Sequence, residues 1–371
     1  MLPDEVATTP PRRPYIDWAR GVAVLIMIEA HAADAWTRAP DRSSHAFSYL
    51  LMIGGFAAPL FLWLAGLGLA FSAERALART GSRRAATETI VKRGLEIFIL
   101  AFLFRVQAFV ISPGSPPITL FRVDILNVMG PAIVVAGVLW GVSGGRRYAA
   151  VICALAATAI AMLTPVVRVA EWIGVLPVWL QWYLRPAADY TTFTLLPWAG
   201  FVFAGTATGA LLAAPRSAQA EKRWLAGMAA AAAALAVLGF YTARLPTIYR
   251  ASSFWTSSPT YFAIRTGIVM LGLAGMAALT PLAMRLRAPF RLLEKLGRNS
   301  LFVYWIHVEL VYGYATWVFH HRLPIWGTCL VYVLFCAAMV WAISARDRIV
   351  ASWRNRRGLQ NPTTRTAGIQ V

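Results

Sequence analysis

The segment from residue 15 to residue 35 reads YIDWARGVAVLIMIEAHAADA, which is long and apolar enough to cross a membrane as one helix. It nevertheless contains Arg20 and His31, and an arginine within a membrane helix costs about 2.5–3.5 kcal/mol on insertion scales. Eleven residues make about three helical turns, so both side chains share one helix face, roughly 16 Å apart along the axis. This pattern predicts that the polar face of the helix lines a path through the protein that serves its function. The alternative is a local ion pair between Asp17 and Arg20 at the interface, with His31 at the opposite, wet end.

The composition of the whole chain extends this interpretation. The 371 residues are 58% hydrophobic and only 14% charged, and they include fifteen tryptophans. Such a chain is not an ordinary soluble domain, and we predict an all-α, polytopic integral membrane protein with about ten transmembrane helices. The formal net charge of +19 would suggest a nucleic-acid partner in a soluble protein. Here the basic residues fall between apolar segments, so we expect the lipid bilayer as partner and no nucleic acid.

Hydropathy defines ten candidate spans within one membrane domain, residues 15–345. Residues 1–14 are predicted to form a disordered cytoplasmic tail, and residues 346–371 a basic cytoplasmic tail. Most of the 35 Lys and Arg residues then fall on the side of the two termini, which predicts a cytoplasmic (inner) membrane protein with both termini in the cytoplasm. The predicted spans are 15–35, 47–71, 94–112, 123–141, 148–165, 193–214, 225–243, 261–284, 299–319 and 325–344.

The cysteines and paired histidines do not indicate a metal centre. Cys153, Cys329 and Cys336 lie in apolar stretches without metal or redox spacing, and they are interpreted as small core residues. His320 and His321 precede Pro324 in a turn that offers no further ligands. We therefore predict no metal and no permanently bound cofactor.

Several motifs, in a fixed order along residues 14–345, carry a resemblance to a known family. They are Asp17-Trp-Ala-Arg20-Gly21, the stretch from His45 to Gly66 with its Pro59-Leu-Phe, Arg122-Val-Asp124-Ile-Leu-Asn127, Leu196-Pro197-Trp198-Ala-Gly200, and Gly297-Arg298-Asn299-Ser300-Leu301-Phe-Val-Tyr304. In these motifs the chain resembles the catalytic domain of the heparan-α-glucosaminide N-acetyltransferase family, including its bacterial relatives. The resemblance implies a membrane enzyme that moves an acetyl group from cytoplasmic acetyl-CoA to an amino sugar on the other side.

The same resemblance implies a catalytic histidine ahead of the proline motif. His45 occupies the matching position, fourteen residues before Pro59. That family commonly has an aspartate four residues before the proline, whereas this chain has Gly55, so the surroundings of the histidine are expected to differ.

A second resemblance concerns the first span. The chain is similar to the acyltransferase-3 group, whose first span carries an arginine, ten intervening residues and a histidine, matched here by Arg20 and His31. The heparan-type family more often has asparagine at the position of His31. The sequence thus offers two catalytic candidates, His31 and His45, and leaves the choice between them open.

Acyl transfer requires a base that removes the proton of the attacking hydroxyl or amine, and imidazole suits this role near neutral pH. A covalent acyl-histidine is the other possible route. If His31 is the base, Asp34 lies three residues further along the helix and is predicted to orient it. For the phosphates of the donor we expect arginine and lysine side chains at the cytoplasmic end, namely Arg20, Lys92, Arg93 and Arg298.

The remaining polar groups of the spans are assigned to the acceptor. Asp124 and Asn127 either line the acceptor site or cap a helix. His307, with Tyr304 one turn earlier, lies deep in the ninth span and either lines the same cavity or forms an interhelical hydrogen bond. The stretch 244–260, with Trp255 and several serines, is a further candidate for contact with a polar acceptor.

The predicted function is therefore a membrane-bound acyltransferase that uses acetyl-CoA or another acyl-CoA to acylate an extracytoplasmic saccharide or glycolipid. Two alternatives come from other classes of protein. One is a transporter or flippase for a polar or lipid-linked solute, which would also use buried charge. The other is a non-catalytic membrane partner, suggested by Gly55. A homo-oligomer is possible, and Gly205 and Gly209 have a spacing that occurs in helix dimers.

Overall fold

The structure, a computed structural model, describes residues 13–111, 114–188, 190–191, 193–214 and 217–356, with side chains as far as residue 354. Almost all of the predicted N-terminal tail and the part of the predicted basic tail from residue 357 onward lie outside the described residues. The described start of that basic tail, from residue 346, continues the last helix of the chain.

The described residues are helical nearly throughout, with two isolated bridges between extended residues. Single 3₁₀ turns occupy Ala39–Ser43, Pro117–Phe121, Glu171–Val175 and Tyr314–Phe319. The α-helices are α1 Pro14–Trp36, α2 His45–Gly54, α3 Ala57–Thr80, α4 Arg83–Ile111, α5 Ile125–Val142, α6 Arg146–Arg168, α7 Val178–Leu184, α8 Leu195–Leu212, α9 Ala218–Thr242, α10 Pro259–Ala278, α11 Thr280–Arg285, α12 Arg287–Arg298, α13 Ser300–Tyr312 and α14 Ile325–Arg356.

These helices confirm the all-α, polytopic membrane architecture. Among the described residues, eight helical stretches are long and apolar enough to cross a membrane, with α2 and α3 together forming one of them. The other two predicted spans correspond to α1, which carries the charges discussed above, and to the 13-residue α13. Every predicted span is therefore largely helical. The second is divided between α2 and α3 at Gly55, the eighth between α10 and α11 at Leu279, and the ninth ends early at Gly313.

The helices alternate in direction between two ends of the bundle. Arg83 at the start of α4 donates to the carbonyl of Trp140 near the end of α5 (2.5 Å), and Arg13 pairs with Glu221 at the start of α9 (2.7 Å). We call this end, where α1 and α4 begin, the basic face, because the connections rich in Lys and Arg lie there. We call the other end, where α1 and α4 finish, the opposite face.

Two clusters of buried side chains hold the bundle together. The larger is built on α3, α5, α6 and α8, and the smaller joins α1 to α13 and α14 around Trp36, Val303 and Phe335. Phe61 and Tyr304 pack against both clusters. In the most apolar 18-residue stretch of α8, 67% of the residues are buried, whereas the corresponding share in α14 is 17%. Helix α8 is therefore central, and α14 faces lipid.

Glycines allow the central helices α3 and α8 to pack backbone against backbone. A Cβ atom at Gly66 would overlap the carbonyl oxygen of Val202, and a Cβ atom at Gly205 would overlap the carbonyl oxygen of Trp63. Gly209 faces Leu67 of α3 in the same way, with 2.8 Å between its would-be Cβ and the carbonyl oxygen. The small-residue spacing at Gly205 and Gly209 thus serves packing within one chain.

Candidate active site

A single cavity of about 1660 Å³ runs between the two clusters and reaches toward both faces. On α4 its lining extends from Thr89 to Ile111, a rise of about 33 Å, which matches the hydrocarbon thickness of a bilayer. On α1 it extends from Arg20 to Asp34. The predicted polar face of α1 therefore lines a continuous path, as the spacing of Arg20 and His31 indicated.

Three of the four predicted donor-binding residues line the part of the cavity nearest the basic face: Arg20, Lys92 and Arg93. Arg20 lies 3.5 Å from the carboxylate of Asp17, and Arg93 lies 3.1 Å from that of Glu96. The predicted pair of Asp17 and Arg20 thus exists, and Arg20 lines the cavity as well.

Arg298, the fourth predicted donor residue, does not line this cavity. It pairs with Glu294 at 3.3 Å and borders a separate hollow of about 380 Å³ next to Arg346. Arg298 therefore lies outside the lining of the main cavity, near the break between α12 and α13 at Asn299, and its role in donor binding stays a prediction.

In the part of α1 nearer the opposite face, His31 faces His307 on α13. The Nδ1 atom of His31 lies 2.9 Å from Nε2 of His307, and the ring centroids are 5.1 Å apart. His31 lines the cavity, whereas His307 is fully buried behind it. Of the two predicted roles for His307, the structure contains the interhelical hydrogen bond, and direct contact with substrate is not supported.

The hydrogen bonds assign the protons of this pair. Nδ1 of His307 lies 2.8 Å from the carbonyl oxygen of Val303 and 2.9 Å from that of Tyr304, so it must carry the proton that it donates there. When both rings are neutral, Nε2 of His307 is then an acceptor, and His31 donates to it through Nδ1–H. The remaining nitrogen of His31, Nε2, is left unprotonated beside the cavity, which is the state that a general base requires.

Asp34 does not act as the predicted partner of His31. Its carboxylate accepts a hydrogen bond from the Tyr312 hydroxyl at 2.8 Å and lies 3.8 Å from the Arg42 guanidinium. Asp34 lines the cavity one turn above His31, toward the opposite face. Asp34 and His31 are close along α1, but each has its hydrogen-bond partner on α13. The carboxylate of Asp34 is bound by Tyr312, and the imidazole of His31 is bound by His307.

His45, the second catalytic candidate, lies away from the cavity. It is the first residue of α2, exposed, just after Ser44, whose hydroxyl caps the helix by accepting from the amide of Phe47 at 3.2 Å. The inward-facing residue of this turn is Phe47. The prediction that His45 belongs to the site is therefore not supported, because the helix phase turns it outward.

Asp124 and Asn127 form a capping box at the start of α5. Asp124 accepts from the amides of Leu126 and Asn127, and the Asn127 side chain accepts from the Asp124 amide at 3.1 Å. Asp124 also lines the cavity and binds Arg105 through two nitrogen atoms at 2.5 and 3.1 Å. The helix-capping interpretation is right for both residues, and only Asp124 also reaches the cavity wall.

Tyr304 lines the cavity as predicted, with its ring 6.0 Å from that of His307 and 5.8 Å from that of Phe104. Sequence reasoning did not assign Arg105, Arg122 or Arg265 to the site, although all three line the cavity. A signal existed for Arg105 and Arg265, because both lie within predicted spans and a charge there needs a reason.

No cluster of three or more potential metal ligands occurs among the described residues. The structure is that of a polytopic membrane protein in which a buried histidine pair presents one free ring nitrogen to a path between two faces.

Comparison with known families gives this class a name. Residues 13–345 match the profile of the acyltransferase-3 family, described as an acyltransferase domain, and the chain therefore belongs to this family. No individual curated protein matches the chain significantly. The match agrees with the second resemblance, the one based on Arg20 and His31.

Proposed function

We propose that the protein transfers an acyl group from acyl-CoA, with acetyl-CoA as the simplest donor, to a hydroxyl or amino group of a saccharide or glycolipid. The observation that carries this proposal is the position of His31. It lies on the wall of a cavity that is lined from both faces, and His307 holds it with Nε2 unprotonated. Family membership supports the reaction class, and donor and acceptor are our inference.

The donor enters from the basic face in this proposal. Lys92, Arg93 and Arg20 line that end of the cavity, and cationic side chains suit the pyrophosphate and 3′-phosphate of coenzyme A. The thin pantetheine arm then follows the polar face of α1 over the roughly 16 Å from Arg20 to His31.

The transfer step that we propose is direct. The acceptor gives its proton to Nε2 of His31 while its oxygen or nitrogen forms a bond to the thioester carbonyl carbon. The carbon–sulfur bond then breaks, and the CoA thiolate takes the proton back from His31. Acylated acceptor and free CoA leave, and the histidine pair returns to its starting state.

The orientation follows from the charge distribution. The basic face carries most of the Lys and Arg residues, and by the positive-inside rule this supports our proposal that the face lies in the cytoplasm of an inner-membrane protein. The acceptor then binds from the extracytoplasmic side. A transporter or flippase would also use a cavity open to two faces, but it has no need of an acyl-CoA.

The test is the release of CoA from acetyl-CoA by the purified protein in nanodiscs, quantified by chromatography with a panel of hexoses and hexosamines as acceptors. We expect acceptor-dependent release that is lost in His31→Ala and retained in the matched control His45→Ala. Loss in His45→Ala alone would make His45 the base and support the heparan-type pattern. Absence of both CoA release and acetyl-CoA binding would reject the enzyme in favour of the transporter or the non-catalytic partner.

A further inference from the structure

We infer that the cavity binds an oxyanion of the acceptor, a carboxylate or a phosphate, through Arg265. This inference rests on the proposed function and narrows its acceptor to negatively charged saccharides or glycolipids. Arg265 lies on α10, in the half of that helix nearest the opposite face, and lines the same cavity as His31.

The guanidinium of Arg265 is held in place by aromatic residues. Its carbon atom lies 4.1 Å from the ring centre of Tyr261 and 5.7 Å from that of Trp198. One nitrogen, Nη2, donates to the Tyr261 hydroxyl at 2.8 Å. The Nε atom is buried and has no hydrogen-bond partner among the residues that the structure describes. The side chain is therefore fixed in position while part of its donor capacity is unused.

Arg265 differs in charge pairing from other arginines of this cavity. Arg20, Arg93 and Arg105 each have a carboxylate within 4 Å. In the described part of the chain no carboxylate lies within that distance of Arg265. A cation at membrane depth without a counter-ion is costly, and such residues mark substrate pathways. An anion supplied by the ligand removes this cost.

The chain leaves room for this cation through Gly55, between α2 and α3. A Cβ atom at Gly55 would lie 3.1 Å from Nη2 of Arg265, so the guanidinium packs closely against the position where a side chain would begin. The preceding Gly54 packs on Ala30, the neighbour of His31 on α1, with 2.8 Å between its would-be Cβ and that of Ala30. Gly55 thus contacts Arg265, and Gly54 contacts the residue next to His31. The guanidinium of Arg265 therefore lies in the section of the cavity that holds His31, the proposed base.

The neighbouring side chains indicate what carries the anion. Trp198 lies beside the Arg265 guanidinium, Trp255 contacts the ring of Tyr261, Phe193 contacts the ring of Trp198, and all three line the cavity. Aromatic faces of this kind pack against the apolar faces of sugar rings. The planar guanidinium fork matches the oxygen geometry of carboxylates and phosphates. Two sources share this chemistry, the carboxylate of a uronic acid and the phosphate of a phosphorylated or lipid-linked sugar.

Ligand-detected saturation-transfer NMR on the full chain in nanodiscs tests this inference without any turnover. The probes are glucose, glucuronate and glucose 1-phosphate at equal concentration. We expect one or both anionic sugars to bind about tenfold or more tightly than glucose, since a charge-assisted pair of this kind gives at least that factor. The anionic sugar that binds more tightly shows whether the acceptor carries a carboxylate or a phosphate.

Three variants assign the preference to Arg265. Arg265→Gln should abolish it, Arg265→Lys should keep part of it, and Gly55→Asp should abolish it because the new carboxylate would pair with Arg265. Arg250→Gln, an exposed arginine at the opposite face, is the matched control and should keep the full preference.

Equal binding of the three sugars by the wild type, or an anion preference that survives in Arg265→Gln, would overturn the inference. Neither outcome would contradict the acyl-transfer proposal, which is tested separately by acetyl-CoA binding and CoA release. Conversely, anion binding that depends on Arg265 in a protein that never binds acetyl-CoA would uphold the site and reject the enzyme.

Discussion

Replacement of His307 by alanine should slow acyl transfer without altering donor binding. In the native protein, Nε2 of His307 accepts the Nδ1–H of His31 at 2.9 Å, and the backbone carbonyls of Val303 and Tyr304 fix the proton on the other nitrogen of His307. Alanine removes the acceptor, so His31 loses the contact that sets both its ring orientation and its tautomer.

The magnitude follows from the hydrogen bond that is lost. A buried donor left without its partner costs about 1–3 kcal/mol. At about 1.4 kcal/mol per factor of ten, this predicts a fall in kcat of roughly 5- to 150-fold. The KM for acetyl-CoA should change by less than about twofold, because the cationic end of the cavity at Arg20 lies some 16 Å from the histidine pair along α1.

The assay is the initial rate of CoA release over a range of acetyl-CoA concentrations, with the unfolding temperature of each variant measured in parallel. His307→Gln places an amide oxygen near the position of Nε2 and should restore part of the rate, which a purely structural role would not predict. His45→Ala is the control on an exposed histidine and should behave as wild type. A rate for His307→Ala within twofold of wild type, in a folded protein, would refute the reasoning.

Further changes test the donor end and the packing. Arg20→Gln should raise the KM for acetyl-CoA about tenfold with a smaller effect on kcat, measured by steady-state kinetics; an unchanged KM would remove Arg20 from the donor site. Gly205→Ala should lower the unfolding temperature, because its Cβ would overlap a carbonyl oxygen of α3, whereas Gly227→Ala, which faces open space, should not. Arg105→Gln should destabilise the fold by about 3–5 kcal/mol by leaving Asp124 buried and unpaired, and Arg105→Gln with Asp124→Asn should recover most of the loss in equilibrium unfolding.

The parts of the molecule that the sequence predicted well depend on local periodicity. Apolar runs located helices at all ten predicted positions, and among the described residues eight helical stretches are long and apolar enough to cross a membrane. An eleven-residue spacing correctly placed Arg20 and His31 on one face. A helix repeats every 3.6 residues whatever its neighbours do, so such predictions need no knowledge of tertiary contacts.

The errors concern contacts between helices distant in sequence. His31 and His307 are 276 residues apart, and Asp34 and Tyr312 are 278 apart, so no spacing rule could pair them. His45 shows a different limit: its position before a proline motif matched a family pattern, but the phase of α2 turns it to the outside.

Gly55 illustrates a third limit. The sequence showed an absent carboxylate, which suggested a loss of function. In the structure the guanidinium of Arg265 lies 3.1 Å from the place where a Cβ atom of this residue would be. The effect of an absent side chain can be judged only when the groups that pack against its position are known.

The cavity that reaches toward both faces also has an electrical consequence for the cell. A water-filled path of this length would let protons and metal cations run down the membrane potential. Its walls, however, carry more basic than acidic side chains: Arg20, Lys92, Arg93, Arg105, Arg122 and Arg265 against Asp34, Glu96, Asp124 and Glu309. Positive charge along a pore raises the barrier to cation entry, as it does in channels that exclude protons. The excess of positive charge that attracts anionic ligands would therefore also hinder the leak of cations through the empty path.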